Sequence, residues 1–96
     1  MPNYRSYRAK PRIVEAEQFL GGGPGLPFAE HPVVNWDDKV SRFYVMPEHG
    51  VRLYLSDGDW VVLEDRQPET GPQWAFPVKR DKFRERYEIL PPGEQP

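Results

Sequence analysis

Twelve prolines and eight glycines in a chain of 96 residues constrain its fold more than any other feature of the sequence. Each proline fixes the backbone angle φ and removes one hydrogen-bond donor, so a regular helix rarely continues through it. This excludes a helical bundle. The length corresponds to one small domain, and short strands joined by turns are the elements that fit between so many prolines and glycines.

Apolar and polar residues alternate between the prolines, as they do in half-buried β-strands. The pattern predicts strands at 13–19, 43–46, 51–55, 60–63, 74–78 and 87–90. Residues 82–86 are predicted to form one turn of helix, with Asp81 as its N-cap. The predicted fold class is therefore mainly β: a small antiparallel β-barrel or sandwich of about six short strands, with one short helix before the last strand.

The apolar positions of these segments predict the hydrophobic core. The predicted core residues are Val14, Ala16, Phe19, Val45, Leu53, Leu55, Trp60, Val62, Trp74, Phe76, Phe83, Tyr87 and Ile89. The continuous apolar run 60–63 is expected to be covered on both faces of its sheet.

One β domain at 12–90 is predicted, between an extended basic arm at 1–11 and a proline-rich tail at 91–96. Residues 21–41 contain many glycines and prolines and are predicted to form a long irregular loop, because about twenty residues exceed an ordinary connection. Such a segment is a functional loop, an insertion or a flexible one. The residues expected to anchor it by packing are Val33, Val34 and Trp36.

The residue types that carry catalysis and metal binding are few. The chain has no cysteine, which excludes a thiol nucleophile and a thiolate metal site. His31 and His49 lie in separate loops without further oriented partners. Asp57, Gly58 and Asp59 are predicted to form a structural turn rather than a cation site, because a calcium loop needs a longer series of ligands. We therefore expect no enzymatic activity, no cofactor and no metal.

Charge is unevenly distributed along a chain whose net charge is −2. Residues 1–12 carry four cations and no acid, residues 53–78 carry five acids and one arginine, and residues 79–86 carry five cations and two acids. The negative total excludes a general polyanion binder. No apolar run approaches the ~18 residues needed to cross a membrane, so no membrane partner is predicted.

Aromatic residues and arginines remain as indications of binding. Tyrosines and arginines alternate in the arm, which suits a negatively charged groove on a protein or a nucleic acid. The alternative is that the arm packs across its own sheet or is loose. The predicted partner-binding residues are Tyr4, Arg5, Tyr7, Arg8, Arg12, Trp36, Tyr44 and Tyr54.

Three segments, in order, resemble a known family over about residues 10–90. They are Lys10-Pro-Arg-Ile-Val-Glu-Ala-Glu-Gln-Phe19, then Gly58-Asp59-Trp60-Val61-Val62, then Phe76-Pro77-Val78 with Asp81, Phe83, Tyr87 and Glu88. The family comprises small tailed-phage and prophage proteins named for a Pro-Gly-Asp-Tyr-Gly (PGDYG) motif. In the motif itself the chain departs, with Asp57, Trp60 and Val61 in place of Pro, Tyr and the second Gly. The resemblance implies a phage origin and no catalytic residues.

Three functional hypotheses follow. The first is a small non-enzymatic bacteriophage protein that binds a host or phage protein in the cytoplasm of the infected bacterial host. The alternative is a virion-associated structural protein, in capsid decoration or at the head–tail junction. The third is a nucleic-acid or nucleotide binder that uses the arm and residues 79–86, although the central strands offer only Tyr44 and Tyr54 for stacking. The sequence does not specify an oligomeric state.

Overall fold

A computed structural model of the protein describes residues 13–21, 26–28 and 33–88. Six strands are followed by one helix: β1 (Ala16–Gln18), β2 (Asn35–Asp37), β3 (Arg42–Val45), β4 (Leu53–Tyr54), β5 (Trp60–Leu63), β6 (Ala75–Val78) and α1 (Arg80–Arg86). The predicted arm 1–11 and tail 91–96 lie outside the described residues.

The strands form two three-stranded sheets in which all neighbours are antiparallel. The first sheet has the order β1-β5-β6 and the second has the order β2-β3-β4. In the first sheet Val61 lies opposite Pro77, and in the second Tyr44 lies opposite Tyr54. The predicted mainly β, antiparallel fold with one short helix is confirmed, and its described strands are divided between two three-stranded sheets.

One hydrophobic core joins the two sheets. Its buried members are Phe19, Val33, Val45, Leu55, Val61 and Ala75. The sheets are also tied by a backbone hydrogen bond of 2.9 Å from the Ala75 N–H to the Met46 carbonyl. Successive strand residues point to opposite faces, and neither Val61 nor Val62 has any exposed surface. The prediction that β5 is covered on both faces is confirmed.

The predicted core is only partly correct. Phe19, Val45, Leu55 and Val62 are buried as predicted, but Leu53 is 38% exposed because β4 is an edge strand of the second sheet. The residues found half-buried instead of buried are Val14, Ala16, Trp60, Trp74, Phe76, Phe83 and Tyr87. The buried residues that the prediction omitted are Pro27, Val33, Asp37, Tyr44, Asp59, Val61, Ala75 and Val78. Ile89 lies outside the described residues.

Part of the predicted loop 21–41 is a strand. Asn35–Asp37 forms β2, which pairs with β3 across the turn 38–41. Val33, just before this strand, is fully buried and anchors the segment as predicted. The sequence Asn-Trp-Asp has little strand propensity, so the strand depends on its pairing with β3 rather than on local preference.

The C-terminal part of the domain also differs from the prediction. The helix begins at Arg80, with Lys79 and not Asp81 at the N-cap position, and no side chain caps it. The carboxylate of Asp81 lies in the first turn, where it favours the positive end of the helix dipole. Tyr87 and Glu88 are not in a strand, so the helix follows the last described strand instead of preceding it. The Tyr87 ring stacks on Phe83 at 4.7 Å, and this packing replaces the predicted sheet pairing. Residues 89–90 of the predicted strand lie outside the described residues.

Asp57 and Gly58 form a turn between β4 and β5. Gly58 has a φ of +92°, in the left-handed region that residues with a Cβ rarely adopt. No atom lies within 4 Å of a Cβ added there. The strain of a substitution at Gly58 therefore comes from the backbone and not from a clash.

We expect Gly58→Val to lower the free energy of unfolding by more than the ~1 kcal/mol of an average substitution, because a β-branched residue is disfavoured at positive φ. Gly58→Asn should cost less, since asparagine tolerates this region better. Urea denaturation of both variants measures the difference. Equal losses in the two variants would contradict the backbone explanation.

Candidate functional site

The structure describes three of the eight predicted partner-binding residues and places all three on the second sheet. Trp36 lies on β2, Tyr44 on β3 and Tyr54 on β4. The other five, which belong to the N-terminal segment, lie outside the described residues: Tyr4, Arg5, Tyr7, Arg8 and Arg12.

The two faces of the second sheet differ in chemistry. Trp36 lies opposite Phe43, and Phe43 packs against the hydrophobic core, so this face is the inner one. Tyr44 lies opposite Tyr54 on the outer face, because side chains alternate along each strand. The polar and aromatic residues of the outer face, which we call the outer cluster, are Asp37, Arg42, Tyr44, Arg52 and Tyr54.

A buried carboxylate is the centre of the outer cluster. Oδ2 of Asp37 accepts a hydrogen bond of 2.7 Å from the Tyr54 hydroxyl and one of 3.1 Å from Nη1 of Arg52. Its Oδ1 accepts a third, of 3.0 Å, from the backbone N–H of Lys39. Asp37 lies on β2, whereas Arg52 and Tyr54 lie on or beside β4. The carboxylate therefore connects the two edge strands across the central strand β3.

The arginines of the outer cluster cover the tyrosine rings. The Arg52 guanidinium lies 4.6 Å from the Tyr44 ring centroid, and the Arg42 guanidinium lies 5.5 Å from that of Tyr54. The two rings meet edge to face at 5.9 Å. These are cation–π distances. Because Arg52 lies over it, Tyr44 is only 9% exposed although it points away from the core.

The same contacts shift the ionisation of the cluster. The hydrogen bond from Tyr54 is the main cause that lowers the pKa of Asp37, and it outweighs burial, which acts in the opposite direction. That bond also raises the pKa of Tyr54. The pKa of Arg52 is raised, first by its electrostatic interaction with Tyr44. At neutral pH the two arginines and one aspartate leave the cluster with one net positive charge.

Trp36 is the most exposed aromatic residue of the second sheet. Half of its surface, 50%, is accessible to solvent. Its ring nevertheless meets Phe43 edge to face at 4.7 Å, and its Nε1–H donates a 2.6 Å hydrogen bond to Oδ1 of Asp38. Within 13–21, 26–28 and 33–88, no strand pairs with the other side of β2. The indole is therefore held in place beside an open strand edge.

The turn residues are engaged within the fold. Asp59 is 3% exposed, and its Oδ2 accepts a hydrogen bond of 2.9 Å from the Ser56 backbone N–H. Its carboxylate also pairs with Nζ of Lys79 at 3.3 Å. His49 is exposed at a separate turn, and His31 lies outside the described residues. The described part of the chain contains no group of three or more His, Cys, Asp or Glu side chains placed to hold a metal ion.

Sequence reasoning did not select Asp37, Arg42 or Arg52. The two arginines could have been found, because each lies two residues before a tyrosine of the same strand segment and so shares its face. Asp37 gave no such signal. It lies in a segment predicted to be a loop, and only the pairing of β2 with β3 brings it to the tyrosines.

Comparison of the chain with family models, with curated proteins and with solved structures finds no match. In the described residues no helix reaches the length and apolar character needed to cross a bilayer.

We expect Tyr54→Phe to raise the pKa of Asp37, because it removes the hydrogen bond that contributes most to lowering it. A lowered pKa stabilises the fold above the pKa of the unfolded chain, and this stabilisation is lost as the pH falls through the folded pKa. The stability difference between wild type and Tyr54→Phe should therefore be larger near pH 6 than near pH 2. Urea denaturation at the two pH values, with an NMR titration of the Asp37 carboxyl, measures both effects.

Tyr44→Phe is the matched control, since it removes a hydroxyl from the neighbouring ring while the bond from Tyr54 to Asp37 remains. It should leave the acid dependence of stability close to that of the wild type. Identical acid dependence in wild type and Tyr54→Phe would contradict the assigned role of Tyr54.

Proposed function

We propose that this chain is a small, non-enzymatic bacteriophage protein that binds another protein, and that the open edge of β2 with Trp36 is its docking surface. The infected bacterial host is its place of action in this proposal. The resemblance to the PGDYG proteins supports the phage origin. The position of Trp36 supports the binding.

The half-exposed indole is the observation that carries the proposal. Tryptophan is among the residues most enriched at the energetic centres of protein interfaces. Trp36 keeps 50% of its surface in solvent while Phe43 and Asp38 fix its orientation. A side chain that is already ordered loses little conformational entropy when a partner covers it. The indole is thus suited to serve as a rigid anchor.

The strand that carries Trp36 offers a second means of recognition. The edge of β2 that does not pair with β3 presents backbone N–H and C=O groups. An extended segment of a partner can pair with these groups as a further strand. Three residues provide few such bonds, so burial of the indole must supply much of the affinity. Val40, 51% exposed, is a further apolar residue in the turn after β2. The expected partner is therefore a protein that contributes an extended segment with an apolar residue.

The outer cluster supports this role by holding β2 in place. The bonds from Arg52 and Tyr54 to Asp37 fix the strand from the face opposite Trp36. In this proposal the tyrosines act through Asp37 to position the edge. Direct contact of Tyr44 or Tyr54 with a partner stays a prediction.

We expect Trp36→Ala to abolish recovery of the dominant partner when the tagged protein is used as bait in a lysate of infected cells. Loss of a buried tryptophan anchor typically weakens binding by about 2 kcal/mol or more, roughly 30-fold. Leu20→Ala is the matched control, because Leu20 is 68% exposed but follows β1 in the first sheet. It should recover the partner as the wild type does, and circular dichroism should show that both variants are folded.

Mass spectrometry of purified particles tests the alternative of a virion component. Stoichiometric amounts of the protein in virions would favour the structural role in capsid decoration or at the head–tail junction. Recovery of the same partner by wild type and Trp36→Ala would refute the assignment of the docking surface.

A further inference from the structure

We propose that α1, together with the aromatic stack that holds it on the first sheet, forms a second binding surface, whose ligand is single-stranded nucleic acid. This surface is independent of the proposed docking edge on β2. It consists of Tyr87, the last ring of the stack, and the three arginines of α1, Arg80, Arg84 and Arg86.

Three aromatic rings lie on one another between β5 and α1. Trp60 is stacked on Phe83 at a centroid distance of 4.1 Å and an interplanar angle of 4°. Tyr87 is stacked on the other side of Phe83 at 4.7 Å and 18°. Phe83 is thus enclosed, whereas no other described ring contacts Tyr87, which is half-buried. Tyr87 is therefore the last described ring of the stack, and in the proposal a base is added to it.

Three arginines lie on α1, the helix that carries Phe83 and ends just before Tyr87. Arg80, Arg84 and Arg86 are exposed, and none of them forms an ion pair with another described residue. Lys79 and Lys82, by contrast, are paired with Asp59 at 3.3 Å and with Glu85 at 3.5 Å. The positive charge available to a ligand on this helix is therefore carried by guanidinium groups.

The helical spacing places two of these arginines on one side of α1. Residues three and four apart are neighbours on a helix surface. Arg84 is three residues before Tyr87 and four residues after Arg80. Arg80 and Arg84 therefore share one side of α1, and Tyr87 follows at its C-terminal end. In the proposal a base stacks on Tyr87 and the phosphates of the same strand contact the two arginines. Combined stacking and cationic contacts are typical of proteins that bind single strands without sequence preference.

The chemistry of the surface favours a nucleic acid over an acidic peptide. An acidic peptide would use the guanidinium groups and leave the end of the stack without a ligand, whereas a nucleotide uses both. The second sheet is a poorer stacking platform, although it carries a pair of tyrosines, because Arg52 and Arg42 already lie over their rings. A net charge of −2 for the whole chain predicts modest affinity that depends strongly on salt.

The test is fluorescence anisotropy of a labelled oligothymidylate of about 16 nucleotides, a length that covers the site of a small single-strand binder. The full chain is titrated at several salt concentrations. Arg80→Ala/Arg84→Ala is the main variant, and alanine favours the helix. Lys39→Ala/Arg66→Ala is the matched control, because it removes two exposed cations outside α1. A third pair, Tyr87→Ala and Tyr87→Phe, separates the ring from the hydroxyl.

We expect the wild type to bind more tightly than ~10⁻⁴ M at low salt. The arginine variant should lower the slope of log affinity against log salt by about 1.4, at ~0.7 for each lost phosphate contact on a single strand. Tyr87→Ala should weaken binding about 5- to 150-fold, the range for loss of one stacked base, while Tyr87→Phe binds as the wild type does. The lysine–arginine control should change neither slope nor affinity as much as the arginine variant.

Several outcomes would overturn the proposal. The first is wild-type binding of the oligonucleotide that is weaker than ~10⁻⁴ M at low salt. The second is an equal loss of affinity in Arg80→Ala/Arg84→Ala and in the charge-matched control. A polyglutamate peptide that binds as tightly as the oligonucleotide, and loses affinity equally in Arg80→Ala/Arg84→Ala, would show an acidic-protein surface instead. Because Trp36 is not part of this surface, failure here leaves the proposed docking edge untouched.

Discussion

Burial of β5 on both of its faces is the constraint on which the rest of the structure depends. Val61 points into the core shared with the second sheet and has no exposed surface, and Val62 is equally buried on the opposite side. Trp60, on the same side as Val62, supports α1 through its stack with Phe83. One strand of four residues thus holds the second sheet on one side and the helix on the other. A small domain has a single core and little spare stability. Few other contacts could therefore compensate for the loss of the contacts that β5 makes.

The second sheet solves a different problem, because its strands are too short to be stable by backbone pairing alone. β2 has three residues and β4 has two. The inner face of the sheet is stabilised by packing against the core. The two edge strands are further connected by Asp37 of β2, which accepts hydrogen bonds from Arg52 and Tyr54. A buried carboxylate is costly unless it is paired and hydrogen-bonded, and here three donors satisfy it. The polar outer cluster is therefore part of the framework of the sheet, although the residue types it contains also occur at binding sites.

The two proposed surfaces use aromatic residues in different ways. Trp36 is held edge to face by Phe43 on a strand that is the edge of its sheet in the described part of the chain, an arrangement that suits burial under a protein segment. Tyr87 is the last described ring of a parallel stack, and the arginines of the adjoining helix have no ion-pair partner among the described residues, an arrangement that suits a planar base and its phosphates. Because the surfaces belong to different sheets, the protein can be tested for each separately. Binding of both ligands would make it an adaptor between a protein and a single strand.

The sequence by itself determined the class of the fold and the places where it turns. Prolines excluded a bundle, alternation located five of the six predicted strands approximately, and Asp57-Gly58 marked a turn that the structure contains. These features are local, because φ preferences and side-chain alternation act between neighbouring residues. Tertiary structure decided that Ala75 and Val78 are the buried residues of β6, that Asn35–Asp37 is a strand, and that Tyr87 stacks on Phe83 instead of entering a sheet. It also brought Asp37 to Tyr54, seventeen residues along the chain. Contacts between residues so distant in sequence leave no local pattern from which they could be predicted. They contribute to stability only when the two elements pack against each other.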